Sequence, residues 1–474
     1  MTLPAKFVER VLRDLGGTEG AALCAALDAE PPVSVRLNPA KTGADTLPAG
    51  PDAGLPVPEA AGLPALAIAG RVPWSRDGRY LAVRPSFTLD PDFHAGAYYV
   101  QEASSQFVGH LLAAVRTEGA RILDLCAAPG GKTPLYASLA GPDGLVVANE
   151  IDRRRASVLA DNVRKWGTGN VAVTTCEPRA LGDFEAWFDV VAVDAPCSGE
   201  GMFRKDPDAR GEWSEGNVKQ CAARQDEILR EAWRALKPGG TLVYSTCTFN
   251  RDEDEGALER MAAWAGDEIA ESEETAVEDA WGIVCGRVGA FRTFRFYPHR
   301  TCGEGFFAAV ARKSFDAGGR VRAPKARRTV FAAVDRKTAG ELARWVRNPG
   351  GMRFAAVADT CYAWYAAQAD AVRTLSEALP VIYSGVALGQ VFKGVLKPDP
   401  ALAFFDGLNR GALPAAELDD EETLRFLRRQ DIAAGGLAEG MNLVCSRGRA
   451  LGFAKRIGAR VNNLYPISLR IIKQ

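Results

Sequence analysis

From residue 121 to residue 244, short runs of branched apolar residues alternate with amphipathic segments, and this alternation restricts the fold more than any other feature of the chain. Apolar runs predict strands, and apolar residues repeated every three or four positions predict helices. The predicted order is strand 121–125, helix 133–139, strand 144–149, helix 153–166, strand 171–175, strand 189–194, helix 217–236 and strand 241–244. Such alternation predicts an α/β fold with a mostly parallel sheet and helices on both faces. Ligands of these sheets bind at the carboxyl ends of strands, so the residues that follow each strand are the candidate functional residues.

The first predicted strand leads into a turn that contains two adjacent glycines and ends in Gly-Lys-Thr at positions 131–133. These three residues match the end of a phosphate-binding P-loop, but Cys126 replaces the first glycine of that motif, which argues against an NTPase. A short glycine turn instead lets the backbone approach a nucleoside or an amino-acid group. Glu150 lies at the tip of the second strand, 26 residues after Asp124, where an acid binds the ribose hydroxyls in nucleotide-binding sheets.

Two cysteines, Cys197 and Cys247, lie fifty positions apart, each just past the end of a predicted strand. A lone cysteine is most often a small buried apolar residue. Cys247 differs from that pattern because hydroxyl residues flank it and because it lies beyond the strand end rather than within an apolar run. These features favour a nucleophile in a crevice that also holds a nucleotide-sized cofactor.

Asp194 ends the strand that precedes Cys197, so its carboxylate is expected to face the same crevice. There it has the chemistry to bind the exocyclic amine and ring nitrogen of cytosine; the alternative is an aspartate that caps the next turn. A thiolate nucleophile needs a lowered pKa, and Arg204 and Lys205 are the candidate cations, either for that purpose or for a phosphate contact.

Composition sets wider limits. The 474 residues are enough for about two to four domains. The ten cysteines form no C-x-x-C pair, which argues against a zinc site and a disulfide framework, so no metal is predicted and reduced thiols are expected. The first ten residues carry charges where a signal peptide is apolar, and no run of about 18 apolar residues occurs. A cytoplasmic protein without a membrane span is therefore predicted.

The net charge is −1, but basic residues are concentrated in two segments. Residues 441–474 contain seven Lys or Arg and no acid, and residues 312–328 contain seven Lys or Arg and one acid. Local basic surfaces are typical of phosphate and nucleic-acid binding, even where acids elsewhere cancel the total charge. The alternative is that both runs are solvated loops.

We predict four regions along the chain. A helix at 4–15 and a strand at 33–37 indicate a small α/β module of its own within residues 1–90. Residues 91–314 form the catalytic domain, and residues 315–328, rich in Gly, Arg and Pro, form a basic linker. Residues 329–474 are predicted to form one or two small α+β units.

Four segments occur in a fixed order: 126–133, 194–201, 245–249 and 297–307. With these motifs the chain resembles the RNA 5-methylcytosine methyltransferases related to the bacterial ribosomal-RNA small-subunit methyltransferase F. The resemblance covers nearly the whole chain, including segments 34–38, 94–102 and 463–466. It implies a Rossmann-like, seven-stranded S-adenosyl-L-methionine-dependent methyltransferase domain, flanked by small α+β RNA-binding modules at the N-terminus and, PUA-like, at the C-terminus.

The resemblance also implies roles for individual residues. Cys247 is the nucleophile, Cys197 assists release of the methylated product, and Asp194 acts in catalysis as well as in cofactor binding. The cofactor-binding residues that it implies are Cys126, Ala127, Ala128, Pro129, Gly130, Gly131, Lys132, Glu150, Arg155 and Asp194.

The chain departs from the family at two places near the site. Residues 175–178 read Thr-Cys-Glu-Pro where many relatives carry an aspartate aimed at the adenine. Residues 252–255 keep the acids of the usual motif and lose its amide. His299 is open to two interpretations, a substrate contact or a hydrogen-bonded structural histidine.

The predicted reaction is methylation of carbon 5 of a cytidine in RNA. Small-subunit ribosomal RNA is the first choice of substrate and transfer RNA the second. Because carbon 5 is a poor nucleophile, Cys247 is expected to add to carbon 6 first. Two other classes stay open, a non-catalytic RNA-binding ribosome-assembly factor and a DNA cytosine methyltransferase whose nucleophile is Cys197. A monomer that binds ribosomal RNA or the ribosomal subunit, and no membrane, is expected.

Overall fold

The computed structural model describes residues 2–43 and 63–472. Lys473, which belongs to the basic C-terminal segment, lies outside the described residues, as do residues 44–62 of the predicted N-terminal module. The first hundred residues contain α1 (Ala5–Leu15), α2 (Gly17–Leu27), β1 (Val33–Leu37), α3 (Pro39–Thr42), β2 (Ile68–Arg71), β3 (Gly78–Leu81), α4 (Pro91–His94) and β4 (Tyr98–Val100).

The N-terminal strands form an antiparallel sheet in the order β2-β3-β1-β4. Its apolar residues make a small core of their own, which includes Val35, Leu37, Leu81 and Tyr98. The two N-terminal helices do not belong to that core, because Phe7 and the other apolar residues of the α1–α2 hairpin pack on loops of the catalytic domain. The α1–α2 hairpin and the β2-β3-β1-β4 sheet thus pack in two different places.

The middle of the chain contains the predicted alternation of strands and helices. Its elements are α5 (Phe107–Ala113), β5 (Arg121–Asp124), α6 (Thr133–Ala140), β6 (Leu145–Asn149), α7 (Arg153–Trp166), β7 (Val171–Thr174), α8 (Pro178–Gly182), β8 (Phe188–Asp194), α9 (Pro207–Glu212), α10 (Glu215–Ala235), β9 (Leu236–Thr246), α11 (Glu255–Ala265), β10 (Ile269–Ala270), β11 (Val284–Val288), β12 (Phe291–Phe296) and β13 (Phe306–Lys313). The largest difference from the predicted bounds is at β9, which begins at Leu236 rather than at residue 241 and includes the Lys-Pro-Gly-Gly segment 237–240.

Seven strands, in the order β7-β6-β5-β8-β9-β13-β12, form the Rossmann-like sheet that was predicted. β5 to β9 are parallel, whereas β13 and β12 are antiparallel to their neighbours. β11 extends one edge, and β10 pairs with β13. Side chains alternate between the two faces, so Leu123 packs in one core cluster with α8, α10 and α11, and Ile122 packs in the other with α5, α6 and α7. Helices therefore cover both faces, as expected.

The C-terminal third folds into two further sheets. Its elements are β14 (Ala332–Ala333), α12 (Arg336–Ala343), β15 (Met352–Val357), β16 (Thr360–Tyr365), α13 (Ala369–Ala378), β17 (Val381–Ser384), β18 (Val386–Phe392), β19 (Val395–Pro398), α14 (Pro400–Phe404), β20 (Ala415–Glu417), α15 (Asp420–Leu427), β21 (Gly440–Ser446), β22 (Arg449–Ile457) and β23 (Arg460–Asn463). One sheet has the order β14-β15-β16-β18-β19 and the other β20-β21-β22-β23. β17 instead pairs with β7, so this region adds an edge strand to the catalytic sheet.

A cluster of ion pairs joins the last sheet to the N-terminal region. Asp92 of α4 is 1% exposed and binds two arginines, with Arg447 Nη1 at 3.0 Å and Arg449 Nη1 at 2.8 Å. Arg447 also donates to Asp420 of α15. These two arginines, together with Arg456, which donates to backbone carbonyls, belong to the basic C-terminal segment. The expected RNA-binding charge is thus partly used inside the protein.

Asp92→Ala is expected to lower the free energy of unfolding by about 3 kcal/mol, because it leaves two largely buried guanidinium groups without their shared carboxylate. The matched control is Asp370→Ala, whose ion pair with Arg373 is largely exposed. That change is expected to cost less than about 1 kcal/mol. Urea denaturation of the two variants measures both values, and equal losses would contradict a structural role for the cluster.

Within residues 2–43 and 63–472, no helix is long and apolar enough to span a bilayer. In the same part of the chain, no group of three or more His, Cys, Asp or Glu side chains is arranged to hold a metal ion.

Candidate active site

The predicted site residues meet at one edge of the sheet, at the carboxyl ends of β5, β6, β8 and β9. The parallel register pairs Asp124 with Ala192 and Asp194 with Ser245, so the loops after these strands are neighbours. This is the position at which open α/β sheets bind ligands.

The glycine turn after β5 is held in shape by side chains that donate to its carbonyls. Arg155 of α7 donates to Ala128 O at 2.9 Å, and Asn162 donates to Pro129 O at 2.8 Å. Gly130 has a φ of +104°, and a Cβ there would lie 2.9 Å from Leu159 Cδ1, so only glycine fits.

A further donor comes from the N-terminal sheet. Arg36 of β1 donates to Gly131 O at 3.2 Å and to Gln101 Oε1 at 2.8 Å, and its guanidinium lies 4.5 Å from the centre of the Trp166 ring. Burial lowers the pKa of Arg36 to about 10. No local pattern predicts this contact, because residues 36 and 131 are far apart in the chain.

Glu150 is 4% exposed and lies at the end of β6. Its Oε1 accepts from the backbone N–H of Asp152 at 3.0 Å, and its Oε2 lies 3.3 Å from Arg155 Nη1. Arg155 therefore bridges Glu150 and the glycine turn, which places the two predicted parts of a nucleotide site side by side.

Asp124 lies beneath the turn and is 1% exposed. It accepts from Thr133 Oγ1 at 2.6 Å. The pKa of Asp124 is raised to about 7, mainly by burial and further by the carboxylates of Asp194 and Glu150, against the opposing effects of Thr133 and Lys132. Three carboxylates thus converge on one small region.

Asp124→Asn is expected to stabilise the fold above pH 7, by up to roughly 4 kcal/mol. The folded state holds the Asp124 proton to a higher pH than the unfolded chain, so wild-type stability falls as pH rises from about 4 to 7, and the variant lacks that fall. Asparagine keeps an acceptor for Thr133. Unfolding measured at pH 5 and pH 8 tests this, with exposed Asp143→Asn as the control, and a parallel pH dependence of wild type and variant would contradict it.

Asp194 is held by a cation and a hydroxyl. Lys132 Nζ lies 2.7 Å from its Oδ2, and Ser245 Oγ donates to its Oδ1 at 2.8 Å. Burial alone would lower the pKa of Lys132, but Asp194 and the other nearby acids outweigh burial and raise it, so the ammonium stays charged. The thiolate form of Cys247 also raises the pKa of Lys132, which means that the two groups interact.

The two cysteines form a thiol pair. Cys197 Sγ lies 3.0 Å from Cys247 Sγ, and the backbone N–H of Cys247 points to Cys197 Sγ at 3.4 Å. Both residues are free thiols of intermediate exposure. The hydrogen bond with Cys247, together with burial, raises the pKa of Cys197 well above its usual range, so Cys197 keeps its proton.

Buried polar side chains support the loop that carries Cys197. Glu253 is fully buried, and its carboxylate accepts from the backbone N–H of Ser198, from Gln225 and from Asn250, at 2.8 to 2.9 Å. Gln225 also donates to Pro196 O at 3.0 Å. The acids after Cys247 were noted in the sequence only as a departure from the family; here one of them fixes the neighbouring loop.

Two predicted cations have other partners. Arg204 is 3.0 Å from Glu304 and donates to Gly303 O, and Lys205 Nζ is 3.9 Å from Glu304. Their proposed role, near the thiol or at a phosphate, stays a prediction, and Lys132 is a cation whose pKa the Cys247 thiolate raises.

Three family models match successive parts of the chain. The N-terminal domain of 16S rRNA methyltransferase RsmF matches residues 3–103, 16S rRNA methyltransferase RsmB/F matches residues 111–312, and the methyltransferase RsmF PUA domain matches residues 414–471. Ribosomal RNA small subunit methyltransferase F of Shewanella loihica is 32% identical over 418 residues, which cover 84% of this chain and 83% of that protein. The chain belongs to the ribosomal RNA small subunit methyltransferase F family. The relative of the same name from Escherichia coli O127:H6 is 32% identical over 425 residues, covering 84% of each chain.

Solved structures agree with membership of the methyltransferase F family. A methyltransferase homolog protein from Pyrococcus horikoshii superposes with a TM-score of 0.53 at 27% identity, over 65% of this chain and 94% of the other. NSun6 from the same organism has a TM-score of 0.53 at 20% identity and covers 65% of this chain and 98% of the other, which supports the fold alone.

As a member of the methyltransferase F family, the chain is an S-adenosylmethionine-dependent methyltransferase with a Rossmann-like domain and a C-terminal PUA module. The residues at the strand ends fit that cofactor. S-adenosylmethionine carries a cationic sulfonium and an ammonium beside a ribose diol, and Asp124, Glu150 and Asp194 supply carboxylates that suit such a ligand.

Proposed function

We propose that the protein transfers a methyl group from S-adenosylmethionine to carbon 5 of a cytidine in RNA, through a covalent bond between Cys247 and the base. The proposed substrate is small-subunit ribosomal RNA, the substrate in the name of the relatives that share 84% of the chain. The observation that carries the chemistry is the pair of thiols 3.0 Å apart at the ends of adjacent strands, beside Asp194.

The thiol pair supports different roles for its two members. Because its pKa is raised, Cys197 keeps its proton, which suits it to act as the proton donor of the pair and leaves Cys247 as the sulfur that attacks the base. This favours Cys247, rather than Cys197, as the nucleophile, and it argues against the arrangement of a DNA cytosine methyltransferase.

The reaction then needs several bond changes and proton transfers at the ring. The thiol proton of Cys247 passes to ring nitrogen 3, where the carboxylate of Asp194 stabilises it, and Cys247 Sγ bonds to carbon 6. The electron pair displaced from the C5–C6 double bond moves to carbon 5, which takes the methyl group. Water removes the carbon-5 proton, and the S–C6 bond breaks to restore the double bond. Cys197 donates a proton to the departing sulfur, and the proton on ring nitrogen 3 returns to Cys197, so that both thiols and the neutral base are restored.

S-adenosylmethionine supplies the methyl group from its sulfonium. The proposed cofactor residues are the 126–132 turn, Glu150 at the ribose, and Arg155 and Asp194 beside them. Lys132 orients Asp194 through its 2.7 Å contact. The target base has to leave its stack to reach this crevice, which costs a few kcal/mol unless the cytidine is already unpaired.

We further propose the predicted regions as the functional division of the chain: 1–90 and 329–474 bind RNA, 91–314 catalyses, and 315–328 links them. The exposed side chains of Lys455, Arg460 and Arg470 stay available for phosphates after Arg447, Arg449 and Arg456 are used internally. A cytoplasmic monomer is the proposed state of the protein.

Incubation of the purified protein with labelled S-adenosylmethionine and with ribosomal RNA, 30S subunits, transfer RNA or DNA tests the proposed function. Nucleoside mass spectrometry is expected to detect 5-methylcytidine in ribosomal RNA or subunits, and bisulfite mapping then gives the position. Methylation only of transfer RNA would move the substrate to that class, and methylation only of DNA would overturn the proposal. Binding of RNA without methyl transfer to any substrate would favour an assembly factor.

A further inference from the structure

The α1–α2 hairpin packs on the loops that carry the two cysteines. The ring of Phe7 contacts those of Phe203, Trp213 and Phe249, at centroid distances of 5.0, 5.9 and 6.4 Å. Phe203 and Trp213 lie beyond β8 on the side of Cys197, and Phe249 lies in the loop after β9. A hairpin whose apolar face is buried here is a part of the catalytic centre rather than an independent arm.

Polar contacts also join the α1–α2 hairpin to the loop between β12 and β13 and to α9. His299 Nε2 lies 2.8 Å from Glu19 Oε2, and Arg300 Nε donates to the same oxygen at 2.8 Å. Arg210 Nη1 lies 2.9 Å from Asp28 Oδ1. His299, which was open to two interpretations, thus has a structural partner in the N-terminal hairpin.

Glu200 joins the two cysteine loops. Its carboxylate, 1% exposed, accepts at Oε2 from Thr248 Oγ1 and from the backbone N–H of Phe249, both at 2.9 Å. Its Oε1 accepts from Trp213 Nε1 at 2.9 Å and from Asn250 Nδ2 at 3.1 Å. Four donors thus bind this one buried carboxylate. Three of them belong to residues 248–250, so Glu200 holds the segment directly after Cys247.

Arg10 of α1 brings a positive charge to this carboxylate. Its Nη1 lies 3.9 Å from Glu200 Oε1 and 4.0 Å from Asp252 Oδ2, and its guanidinium lies 5.6 Å from the centre of the Trp213 ring. The side chain is 12% exposed, so the charge acts in a largely desolvated region. Opposite charges interact more strongly in such a region than in bulk water.

We propose that Arg10 and Glu200 are positioning residues, through which the N-terminal hairpin holds the Cys247 loop in its reactive geometry. The proposal rests on the proposed role of Cys247 and adds a component that lies outside the cofactor and cysteine motifs. Loss of the Arg10 charge loosens the anchor of Thr248 and Phe249, and the distance between the two sulfurs then varies. Small displacements of reacting groups carry large rate penalties.

Arg10→Met keeps the length of the side chain and removes its charge. We expect kcat for RNA methylation to fall about tenfold, while KM for RNA and for S-adenosylmethionine stays within about twofold of wild type. Arg10→Lys returns the cation and restores most of kcat. Glu200→Gln is expected to lower kcat further, because it replaces one acceptor oxygen by an amide nitrogen that faces the same donors. Lys6→Met is the matched control, because Lys6 is also on α1 but its ion pair with Glu215 is exposed. This variant is expected to keep wild-type kinetics.

A second measurement separates positioning from general destabilisation and does not need RNA. Iodoacetamide labelling followed by peptide mass spectrometry gives the alkylation rate of each cysteine. In Arg10→Met, Cys247 is expected to react about fivefold faster because its loop opens locally, while Cys361 and Cys445, buried in the C-terminal sheets, keep their wild-type rates.

Three outcomes would overturn the proposal: wild-type kcat and Cys247 labelling in Arg10→Met, a raised KM for RNA at unchanged kcat, or equally faster labelling of all three cysteines. The first means that the charge has no effect, the second that Arg10 binds RNA, and the third that the fold is destabilised. Failure of the proposed function appears elsewhere, as methylation by Cys247→Ala, and leaves the labelling result interpretable.

Discussion

Cys247→Ala is expected to lower the rate of RNA methylation at least about 10⁴-fold, the largest effect of any single change in this protein. Without the sulfur, no electron pair is moved onto carbon 5 of the cytosine, so carbon 5 is not activated to take the methyl group. Binding of S-adenosylmethionine is expected to stay within about twofold, because the turn after β5 and Glu150 are unchanged. Single-turnover assays with labelled cofactor, with calorimetry for binding, measure the two quantities.

The control for that variant is Cys361→Ala, which removes a buried thiol in the C-terminal sheet and is expected to keep wild-type turnover. Methylation by Cys247→Ala within tenfold of wild type would contradict the nucleophile assignment. Loss of activity together with loss of cofactor binding would instead indicate that the loops of the site no longer fold correctly.

Cys197→Ala is expected to trap the enzyme on natural RNA. The variant still forms the bond between Cys247 and the base, but it lacks the proton donor 3.0 Å from the leaving sulfur, so release slows by about 10²- to 10³-fold. Denaturing gels are expected to show a protein–RNA band that accumulates with S-adenosylmethionine present. The methylated cytidine is then found in that band rather than in free RNA.

Ser198→Ala is the matched control for the trapped complex. It alters the side chain next to Cys197 but keeps the backbone N–H that donates to the Glu253 carboxylate at 2.9 Å. Multiple turnover is therefore expected. Free turnover of Cys197→Ala at the wild-type rate, without any trapped complex, would remove Cys197 from product release.

The sheet and its strand ends were predictable because they depend on local patterns. Buried runs such as 145–149 and turns rich in glycine mark where strands begin and end. The positions of Asp194 at the end of β8 and of Cys247 just after β9 follow from these patterns alone. The family motifs then indicated the type of reaction, and the comparisons confirmed the fold, the cofactor and the family.

Contacts between distant segments were not predictable in the same way. The two sulfurs meet because β8 and β9 are neighbours in the sheet, and the order of strands is not written in any local pattern. Arg447 stands in a run of basic residues that resembles a nucleic-acid surface, yet its carboxylate partner Asp92 is 355 positions away. β17 joins the catalytic sheet from the C-terminal region, although the sequence of this four-residue strand does not indicate its partner strand.

The same reason explains the supporting polar residues. Glu200 and Glu253 occur in segments that the motifs already contained, but their role depends on donors from α10, from the loop after β9 and from residues near α9. A buried acid is costly unless several donors satisfy it, but neither Cys-Ser-Gly-Glu-Gly around Glu200 nor Asp-Glu-Asp-Glu around Glu253 distinguishes a buried carboxylate from an exposed one.

Identification of the sulfur bonded to substrate tests the account most directly. RNA that contains 5-fluorocytidine at the target position blocks loss of the carbon-5 substituent, so the enzyme with S-adenosylmethionine is expected to stop as a stable adduct. Nuclease and protease digestion followed by tandem mass spectrometry then gives the modified residue. A methylated fluoropyrimidine on Cys247 is the predicted result, and attachment to Cys197, or full methyl transfer without any adduct, would contradict it.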